Sequence, residues 1–154
     1  MSITCCYIKE QYFKDHSSFV KMLDPGNTAK QSHRSYLCLK ITNDGNDYYL
    51  PLRNNLGADV RPYGRIGHSV PSASRSDAGL DYRYALIVND SKYIEIPTTQ
   101  KIPNRQWNKI TADYNNIISE FTVYLSGFKR ALKKNRINRA VSYTHLTLPT
   151  TSRV

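Results

Sequence analysis

The sequence of 154 residues has few acidic residues and no long apolar run. Asp and Glu number 12 against 22 Lys and Arg, which gives a formal net charge of +10 and a pI of about 9.6. A chain with no apolar run long enough for a signal peptide or a membrane span is predicted to be cytoplasmic. A surface this basic releases counterions when it meets phosphates, so nucleic acid is the favoured partner, ahead of an anionic membrane.

Cysteine is also scarce, and three cysteines are too few for a four-thiolate zinc site. The Cys and His side chains show no metal-ligand spacing along the chain: Cys5, Cys6, Cys38, His16, His33 and His68. No motif supports a Cys or His nucleophile. We therefore predict buried thiols, and neither a metal nor another cofactor.

The end of the chain differs in composition from the rest. From Val141 to Val154 a basic helical pattern gives way to the Thr-rich string Val-Ser-Tyr-Thr-His-Leu-Thr-Leu-Pro-Thr-Thr-Ser-Arg-Val. One reading frame of a transposase-based sequencing adapter encodes that string, which favours a foreign tail over a native flexible one. We therefore expect a single domain over residues 1–140 and a non-native segment over residues 141–154.

Strand patterns and turn residues before residue 100 predict a mostly antiparallel sheet. The predicted strands lie at 4–8, 35–42, 48–52, 80–88 and 92–96. In the second strand, Tyr36, Cys38 and Lys40 should face one side, and Leu37, Leu39 and Ile41 the other. Asn43-Asp-Gly-Asn predicts a hairpin turn with Gly45 at positive φ. The segments 28–34 and 54–78 are interpreted as loops, and a loop as long as the second is often functional.

An amphipathic helix is predicted to follow the sheet. Asn104 is the expected N-cap, and apolar residues then recur at intervals of three or four: Trp107, Ile110, Tyr114, Ile117, Phe121, Tyr124, Phe128 and Leu132. The basic end of this helix, which includes Lys129, Arg130 and Lys133, either complements the helix dipole or attracts phosphates. A sheet followed by a long helix indicates an α+β fold.

Three segments resemble the TenpN group of the ToxN/AbiQ superfamily. They read His33-Arg-Ser-Tyr-Leu-Cys-Leu-Lys-Ile, Asn46-Asp-Tyr-Tyr-Leu-Pro-Leu-Arg-Asn-Asn and Gly79-Leu-Asp-Tyr-Arg-Tyr-Ala-Leu-Ile-Val. The family shows an Arg-Pro-Tyr strand start, a Pro-Leu-Arg-Ser-Asn strand end and a Gly-Leu-Asp strand. The likeness runs with gaps from about Tyr7 to Asn135, and Tyr12-Phe-Lys-Asp is similar to the family's opening.

This copy departs from the family pattern at two positions. Ser35 stands where the family has Pro, and Asn54 stands where it has Ser. A hydroxyl expected beside Arg53 is therefore absent. If that hydroxyl is essential in the family, this copy is weakened or inactive.

The resemblance implies a fold, an activity and partners. The fold would be a small, strongly curved sheet or barrel similar to the Kid/MazF ribonuclease toxins, with packed helices. The activity would be metal-independent RNA cleavage in a type III toxin–antitoxin pair that serves in phage defence. The partners would be a pseudoknotted antitoxin RNA made from tandem repeats, in a protein–RNA hetero-oligomer, and cellular or phage RNA as substrate.

Metal-free cleavage uses the ribose 2′-hydroxyl as nucleophile, so the enzyme must supply proton transfer and charge stabilisation. Arg53 is the expected phosphate ligand, because its fork binds two phosphate oxygens and stays charged. The other candidate catalytic residues are Asn54, Asn55, Tyr36 and Lys40. The candidate RNA contacts are Tyr12, Arg34, Arg61, Arg65, His68, Lys129, Arg130 and Lys133. Asp81 is expected to brace an arginine such as Arg53 or to cap a turn.

Several of these assignments leave an alternative open. Tyr12 and Tyr36 either contact RNA or belong to the core. Lys40 serves as an acid or base only if neighbouring cations lower its pKa, and otherwise contacts phosphate. His68 either transfers a proton or is merely an exposed loop residue.

Two other function classes fit the same composition. A non-catalytic RNA-binding protein would show tight binding without turnover. A structural protein that docks through its basic helix would show binding that is insensitive to salt.

Overall fold

The computed structural model describes residues 3–15, 27–40, 45–56, 66–99 and 101–133. Its strands are β1 (Cys5–Ile8), β2 (Tyr36–Lys40), β3 (Asp47–Arg53), β4 (Gly67–Ser69), β5 (Gly79–Asp81), β6 (Leu86–Ile87) and β7 (Ile94–Glu95). Its helices are α1 (Glu10–Asp15), α2 (Thr28–Ser32), α3 (Asn104–Ala112) and α4 (Tyr114–Lys133), with 3-10 turns at Tyr82–Tyr84 and Ser91–Tyr93. Arg61, Arg65 and the expected foreign tail lie outside the described residues.

The strands form a sheet in the order β4-β5-β3-β2-β1-β7, and β6 pairs with β3. Every pairing within the described ranges is antiparallel. The α+β class and the antiparallel sheet are therefore confirmed. The barrel alternative is not: β4 and β7, the end strands, do not pair with each other among these residues, so the sheet stays open. The likeness to Kid/MazF remains a prediction.

The hairpin of β2 and β3 forms as predicted. Its register pairs Tyr36 with Pro51 and Lys40 with Asp47, and Gly45 has a φ of 80°. Directly paired residues of antiparallel strands point to the same side of the sheet. The alternation at Tyr36–Lys40 therefore also determines which side chains of β3 point to each face. Arg53 lies on the same face as Pro51 and Tyr36.

One face of the sheet packs against α3 and α4 to form the larger core. Leu37, Leu39, Leu50 and Leu80 from the strands meet an apolar helix stripe: Ile110, Tyr114, Ile117, Phe121, Tyr124, Leu125 and Phe128. All four leucines are at most 1% exposed. Burying such a side chain stabilises the fold by about 1.5–3 kcal/mol. The packing of α3 and α4 therefore holds this face of the sheet in place.

The other face is covered by α1 over only part of its width. A second apolar cluster joins α1 to the first three strands and β6: Cys6, Ile8, Tyr12, Phe13, Tyr36, Tyr49, Leu86 and Val88. No residue of β5 belongs to it. The part of this face that holds Arg53 and Asp81 therefore lies beyond the apolar cover, where polar side chains find room.

Two of the thiols are buried, as predicted. Cys5 is 9% and Cys6 2% exposed, while Cys38 is half-buried. Burial raises the pKa of both Cys5 and Cys6 to about 12. Both therefore stay protonated and unreactive near neutral pH.

Several local predictions are wrong. The strand expected at 80–88 is two strands, β5 and β6, separated by the 3-10 turn at Tyr82–Tyr84, and the segment 54–78, expected as a loop, contains β4. The single long helix is two helices that meet at Asp113, although the Asp113 N–H still bonds to the Lys109 carbonyl. Asn104 is the first helical residue and not the N-cap, which is Pro103 without a side-chain bond. The segment 28–34, which was expected to be a loop, contains α2. The Asn27 side chain accepts a hydrogen bond from the Lys30 N–H and so caps the start of this helix.

Gly79 is required where β3, β4 and β5 meet. A Cβ built there would collide with the His68 carbonyl and the Leu56 side chain. Gly79→Ala is expected to lower the free energy of unfolding by about 1–3 kcal/mol, because backbone cannot yield as a side-chain end can. Urea unfolding followed by circular dichroism measures this.

Gly45→Asn is the control for the Gly79 variant. Gly45 also has a special conformation, but no heavy atom lies within 4 Å of its built Cβ. Asn tolerates positive φ, so this change should cost less than about 1 kcal/mol. Equal losses in the two variants would contradict close packing at Gly79.

Candidate functional site

The candidate site lies at the end of β3, where Arg53 meets a buried carboxylate. Arg53 Nη1 donates to Asp81 Oδ2 at 2.9 Å, and Asp81 is fully buried while the Arg53 side chain is 28% exposed. The pairing of Arg53 with Gly79 puts Asp81, two residues further along β5, on the same face. Asp81 thus braces Arg53, as the sequence led us to expect.

Arg83 binds the same carboxylate from the other side. Its Nε donates to Asp81 Oδ1 at 3.0 Å and its Nη2 to Oδ2 at 3.0 Å, a two-pronged contact. The Asp81 side chain also accepts from the Arg83 backbone N–H and so caps the turn at Tyr82–Tyr84. Both proposed roles of Asp81, brace and cap, therefore occur together.

Tyr84 lies against both guanidinium groups. The Arg53 guanidinium carbon is 5.4 Å from the centre of the Tyr84 ring, and that of Arg83 is 5.9 Å away. The negative face of an aromatic ring attracts cations at such distances. The ring and the carboxylate together fix two arginines side by side.

This cluster carries one net positive charge in a half-buried place, because two guanidinium groups share one carboxylate. Burial lowers the pKa of Arg83, but the hydrogen bond and charge of Asp81 outweigh it and raise that pKa overall. Both arginines thus stay charged at any physiological pH. The cluster can attract an anion without a change in its own protonation.

A basic cavity lies between α2 and the end of β3, where the two chain neighbours of Arg53, Leu52 and Asn54, line it. Its volume is about 300 Å³, and it is lined by Lys30, His33, Arg34, Ser35, Leu52 and Asn54. Arg34 Nη1 donates to the Leu52 carbonyl at 3.3 Å, which ties the segment after α2 to β3. None of the lining residues is acidic. We name this space the basic cavity.

A second cavity continues past the end of α2. It has a volume of about 460 Å³ and is lined by Tyr7, Lys9, Glu10, Ser32, His33 and Glu95. His33 borders both cavities. The two cavities therefore adjoin at His33.

Of the predicted catalytic residues, Asn54 lines the basic cavity, and both Asn54 and Asn55, which follow Arg53 in the chain, are exposed. Arg34, a predicted RNA contact, lines the basic cavity. Tyr36 is only 3% exposed and belongs to the apolar cluster under α1. Of the two alternatives for Tyr36, RNA contact or core residue, its burial corresponds to the core residue.

Tyr12 is also a core residue. It is 3% exposed, its hydroxyl donates to the Ile87 carbonyl at 3.5 Å, and its ring meets those of Phe13 and Tyr93 edge to face. Burial raises the pKa of this phenol above its ordinary value. Its ring has no exposed face on which a base could stack.

Lys40 lies apart from the Arg53 cluster. Its ammonium donates to Asp47 Oδ1 at 2.7 Å, and Asp47 is six residues from Arg53 along β3, or about 20 Å. The hydrogen bond to Asp47 raises the pKa of Lys40. The alternative in which neighbouring cations lower the pKa of Lys40 does not hold, because the side chain is hydrogen-bonded to the Asp47 carboxylate.

His68 lies in β4, not in a loop, and on the helix side of the sheet. Its ring nitrogens are each 2.9 Å from a carboxylate oxygen, Nδ1 from Glu120 and Nε2 from Asp113. It therefore faces away from Arg53, because its strand partner is Leu80 in the larger core. It is not an exposed loop residue.

The basic end of α4 is described in part. Lys129 and Arg130 are exposed, and Lys133 is the last residue of the helix. This helix packs on the face opposite to Arg53. An RNA strand that contacts both these residues and Arg53 would therefore have to pass from one face of the protein to the other.

Sequence reasoning missed Arg83, Tyr84, Lys30 and His33. The Asp81-Tyr-Arg83 spacing was a usable signal, because a capping Asp two residues before an Arg can bind both the backbone and the side chain of that Arg. No comparable signal marked α2, since its side chains reach the site only through tertiary packing.

Within the described ranges, no group of three or more His, Cys, Asp and Glu side chains is arranged to hold a metal ion. Helices long and apolar enough to cross a membrane are also missing from the described part of the chain.

Comparisons with known proteins find a distant structural similarity. No family profile and no curated protein sequence matches the chain. A solved structure does, from work described as "New insights into the mechanism of bacterial Type III toxin-antitoxin systems: selective toxin inhibition by a non-coding RNA pseudoknot". The match has 19% identity and a TM-score of 0.46, and covers 93% of this chain and 76% of that one.

The buried charge of Asp81 can be tested against a matched residue. Asp90 also caps a 3-10 turn and pairs with the basic residue two positions later, Lys92, but at the surface. Asp81→Asn keeps a capping oxygen but removes the buried charge between two arginines, so we expect a loss of about 3–5 kcal/mol in unfolding free energy. Asp90→Asn should cost less than about 1 kcal/mol.

Urea unfolding of both variants at neutral pH measures the difference. Similar losses at the two positions would show that capping, and not the buried ion pair, makes Asp81 important.

Proposed function

We propose that this protein is the toxin of a type III toxin–antitoxin pair, a metal-independent endoribonuclease. It cleaves cellular or phage RNA by attack of the ribose 2′-hydroxyl and leaves 2′,3′-cyclic phosphate and 5′-hydroxyl ends. A small repeat-derived antitoxin RNA neutralises it. The observation that carries the proposal is the Arg53–Asp81–Arg83 cluster, which two of the family-like segments, Pro51-Leu-Arg-Asn-Asn and Gly79-Leu-Asp, build beside a basic cavity.

Arg53 is the group that meets the scissile phosphate. Attack by the 2′-hydroxyl builds a second negative charge on phosphorus-bound oxygens, and a fixed guanidinium stabilises that charge more than it stabilises the ground state. Asp81 and Tyr84 hold Arg53 in place before RNA binds. Such preorganisation avoids reorientation during the reaction, as transition-state stabilisation requires.

The basic cavity is the place for the RNA backbone next to the cleaved bond. Lys30 and Arg34 supply charge for phosphates, and a cavity of about 300 Å³ has the size of the smallest ligand sites. His33 is the lining residue whose side chain suits proton transfer near neutral pH. We assign it that role ahead of His68, which faces the helices.

Asn54 takes the place of the family's Ser in this site. An amide donates a hydrogen bond to a phosphate oxygen but does not transfer a proton. Asn54 therefore orients the phosphate, and proton transfer falls to another group. Asn55 lies next to it and can contact a base edge.

The first test is cleavage of a mixed RNA pool in the presence of EDTA. The full chain is compared with Arg53→Ala and with Arg105→Ala, which removes the same charge from an exposed arginine on α3. Arg53→Ala should lower kcat by about 100-fold to 1,000-fold, as the loss of one transition-state donor does. Arg105→Ala should cleave at the wild-type rate.

The products and the binding separate this proposal from its alternatives. Cyclic-phosphate ends that disappear with Arg53→Ala support the nuclease. Tight, salt-dependent RNA binding with no cleavage would favour a non-catalytic RNA-binding protein. Equal loss of cleavage in the two arginine variants would show that net charge, and not this site, governs the activity.

A further inference from the structure

A cluster of charged side chains lies on the opposite side of β5 from Asp81. His68 is at its centre, with Nδ1 2.9 Å from Glu120 Oε1 and Nε2 2.9 Å from Asp113 Oδ2. Tyr82 donates its hydroxyl to the same Glu120 oxygen at 2.7 Å, and Lys109 lies 2.8 Å from the same Asp113 oxygen. We call these five residues the histidine clamp.

The clamp joins the strands that carry the candidate site to both long helices. His68 belongs to β4, and Tyr82 directly follows β5. Glu120 is part of α4, Lys109 is part of α3, and Asp113 joins the two helices. The His68 side chain is only 12% exposed, so its contacts are largely shielded from water.

The residues of the clamp are direct neighbours of Asp81 along the chain and across the β4–β5 pairing. Gly67 in β4 is the strand partner of Asp81, and His68 is the partner of Leu80. The Tyr82 N–H donates to the Ile66 carbonyl. A movement of the β4–β5 hairpin away from α4 would therefore move Asp81, and Arg53 and Arg83 with it.

The proton count of the imidazole decides whether both contacts can exist. Each ring nitrogen faces a carboxylate oxygen, which only accepts, so both nitrogens must donate. Only the imidazolium has two N–H groups. Loss of its proton points a lone pair at one carboxylate and leaves that contact repulsive.

The charged and titratable groups of the clamp favour the imidazolium. Glu120 and Asp113 bring negative charge to the imidazole from the helix side. The hydrogen bonds from Lys109 and then His68 lower the pKa of Asp113, so that carboxylate stays charged well below neutral pH. Burial raises the pKa of Tyr82, so its hydroxyl stays a neutral donor throughout.

We propose that His68 is a pH-dependent positioning residue: its imidazolium holds the β4–β5 hairpin against α4 and thereby sets Asp81 and the two arginines that Asp81 braces. Protonation of the imidazole closes the clamp, because both ring nitrogens then donate, and loss of that proton opens it. The part of this inference that concerns RNA cleavage rests on the function proposed above. The clamp itself does not.

The sign of the pH effect follows from the form that is stabilised. Both contacts require two N–H groups on the ring, so the contribution of His68 is present while the imidazole is protonated. It disappears when the ring loses that proton at higher pH. Asp113 adds the opposite dependence at low pH, because a carboxylate with a lowered pKa loses its contribution only in acid.

The test measures folding and local exchange without RNA, on the full chain. Urea unfolding is compared at about pH 5.5 and about pH 8 for the wild type, His68→Gln and Glu120→Gln. The wild type should lose at least about tenfold in its folding equilibrium constant between the two pH values, as loss of one charged hydrogen bond implies. Both variants should lose this difference.

Glu120→Gln keeps the test sharp if His68→Gln folds poorly. Its amide offers an N–H to Nδ1, so a neutral imidazole can accept there while Nε2–H donates to Asp113. His33→Gln removes a histidine outside the clamp and serves as the control for unfolding only. It should keep the wild-type difference between the two pH values.

Amide hydrogen exchange over residues 79–84 reports on the site itself. Rates are divided by the intrinsic rate at the same pH. Protection in the wild type should fall by at least about tenfold from the lower to the higher pH, and protection in His68→Gln should be low at both. A wild type without this change, or variants that keep it, would overturn the proposal.

Cleavage then separates the two proposals. The ratio of wild-type to His68→Gln kcat should be higher at the lower pH, with KM for RNA changed less. An active enzyme with a constant ratio would refute the clamp and leave the nuclease intact. An inactive wild type that still shows the unfolding and exchange changes would refute the nuclease and leave the clamp.

Discussion

The buried carboxylate of Asp81 constrains the rest of this structure. A charge with no exposed surface costs several kcal/mol unless it is compensated, and removal of one partner from a buried pair costs as much again. Asp81 must therefore be met by Arg53 from β3, by Arg83 and by the capped turn. The register of β3, β4 and β5 places these groups, and Gly79 lets the three strands approach closely enough.

A short β-sheet has to serve two purposes here, and its two faces divide them. The helix-facing side carries leucines and the histidine clamp, so both apolar burial and ionic contacts hold the β4–β5 hairpin to α4. The other side is apolar under α1 and becomes charged beyond Pro51. Since neighbouring residues of a strand alternate between faces, Leu80 and Asp81 lie on opposite faces, and the three-residue strand β5 contributes both to the larger core and to the candidate site.

The sequence predicted the features that short-range patterns determine. Alternation of apolar and polar residues and the turn sequence predict the β2–β3 hairpin, the face to which each of its side chains points, and the positive φ of Gly45. The spacing of apolar residues by three or four predicts the helix stripe from Ile110 to Phe128. Asp81 was expected to brace an arginine such as Arg53 or to cap a turn, because a carboxylate near RNA is better suited to those roles than to chemistry. These features depend on neighbours in the chain or on one pairing of strands.

What the sequence could not predict depends on contacts between distant segments. His68 looked like a loop residue because β4 is three residues long and its partners, Asp113 and Glu120, come more than forty positions later. Lys40 gained an anion as neighbour because the hairpin register sets it opposite Asp47.

The positions of the tyrosines in the folded protein limit which of them could contact RNA under the proposed function. Seven of the twelve tyrosines are buried: Tyr12, Tyr36, Tyr48, Tyr49, Tyr82, Tyr114 and Tyr124. A phenol buries a large apolar area and still pairs its polar end, as Tyr82 does on Glu120. Tyr84, beside the candidate site, already has two guanidinium groups near its ring. Under the proposed function, base stacking on tyrosine is therefore a poor explanation of RNA recognition at the Arg53 cluster, whereas Tyr7 is partly exposed and lines the second cavity. Under the proposed function, recognition at this cluster would depend on phosphate contacts from Arg53, Arg34 and Lys30, and such contacts are strongly salt-dependent and carry little sequence information. A preference for particular bases would then come from exposed groups such as Asn54 and Asn55.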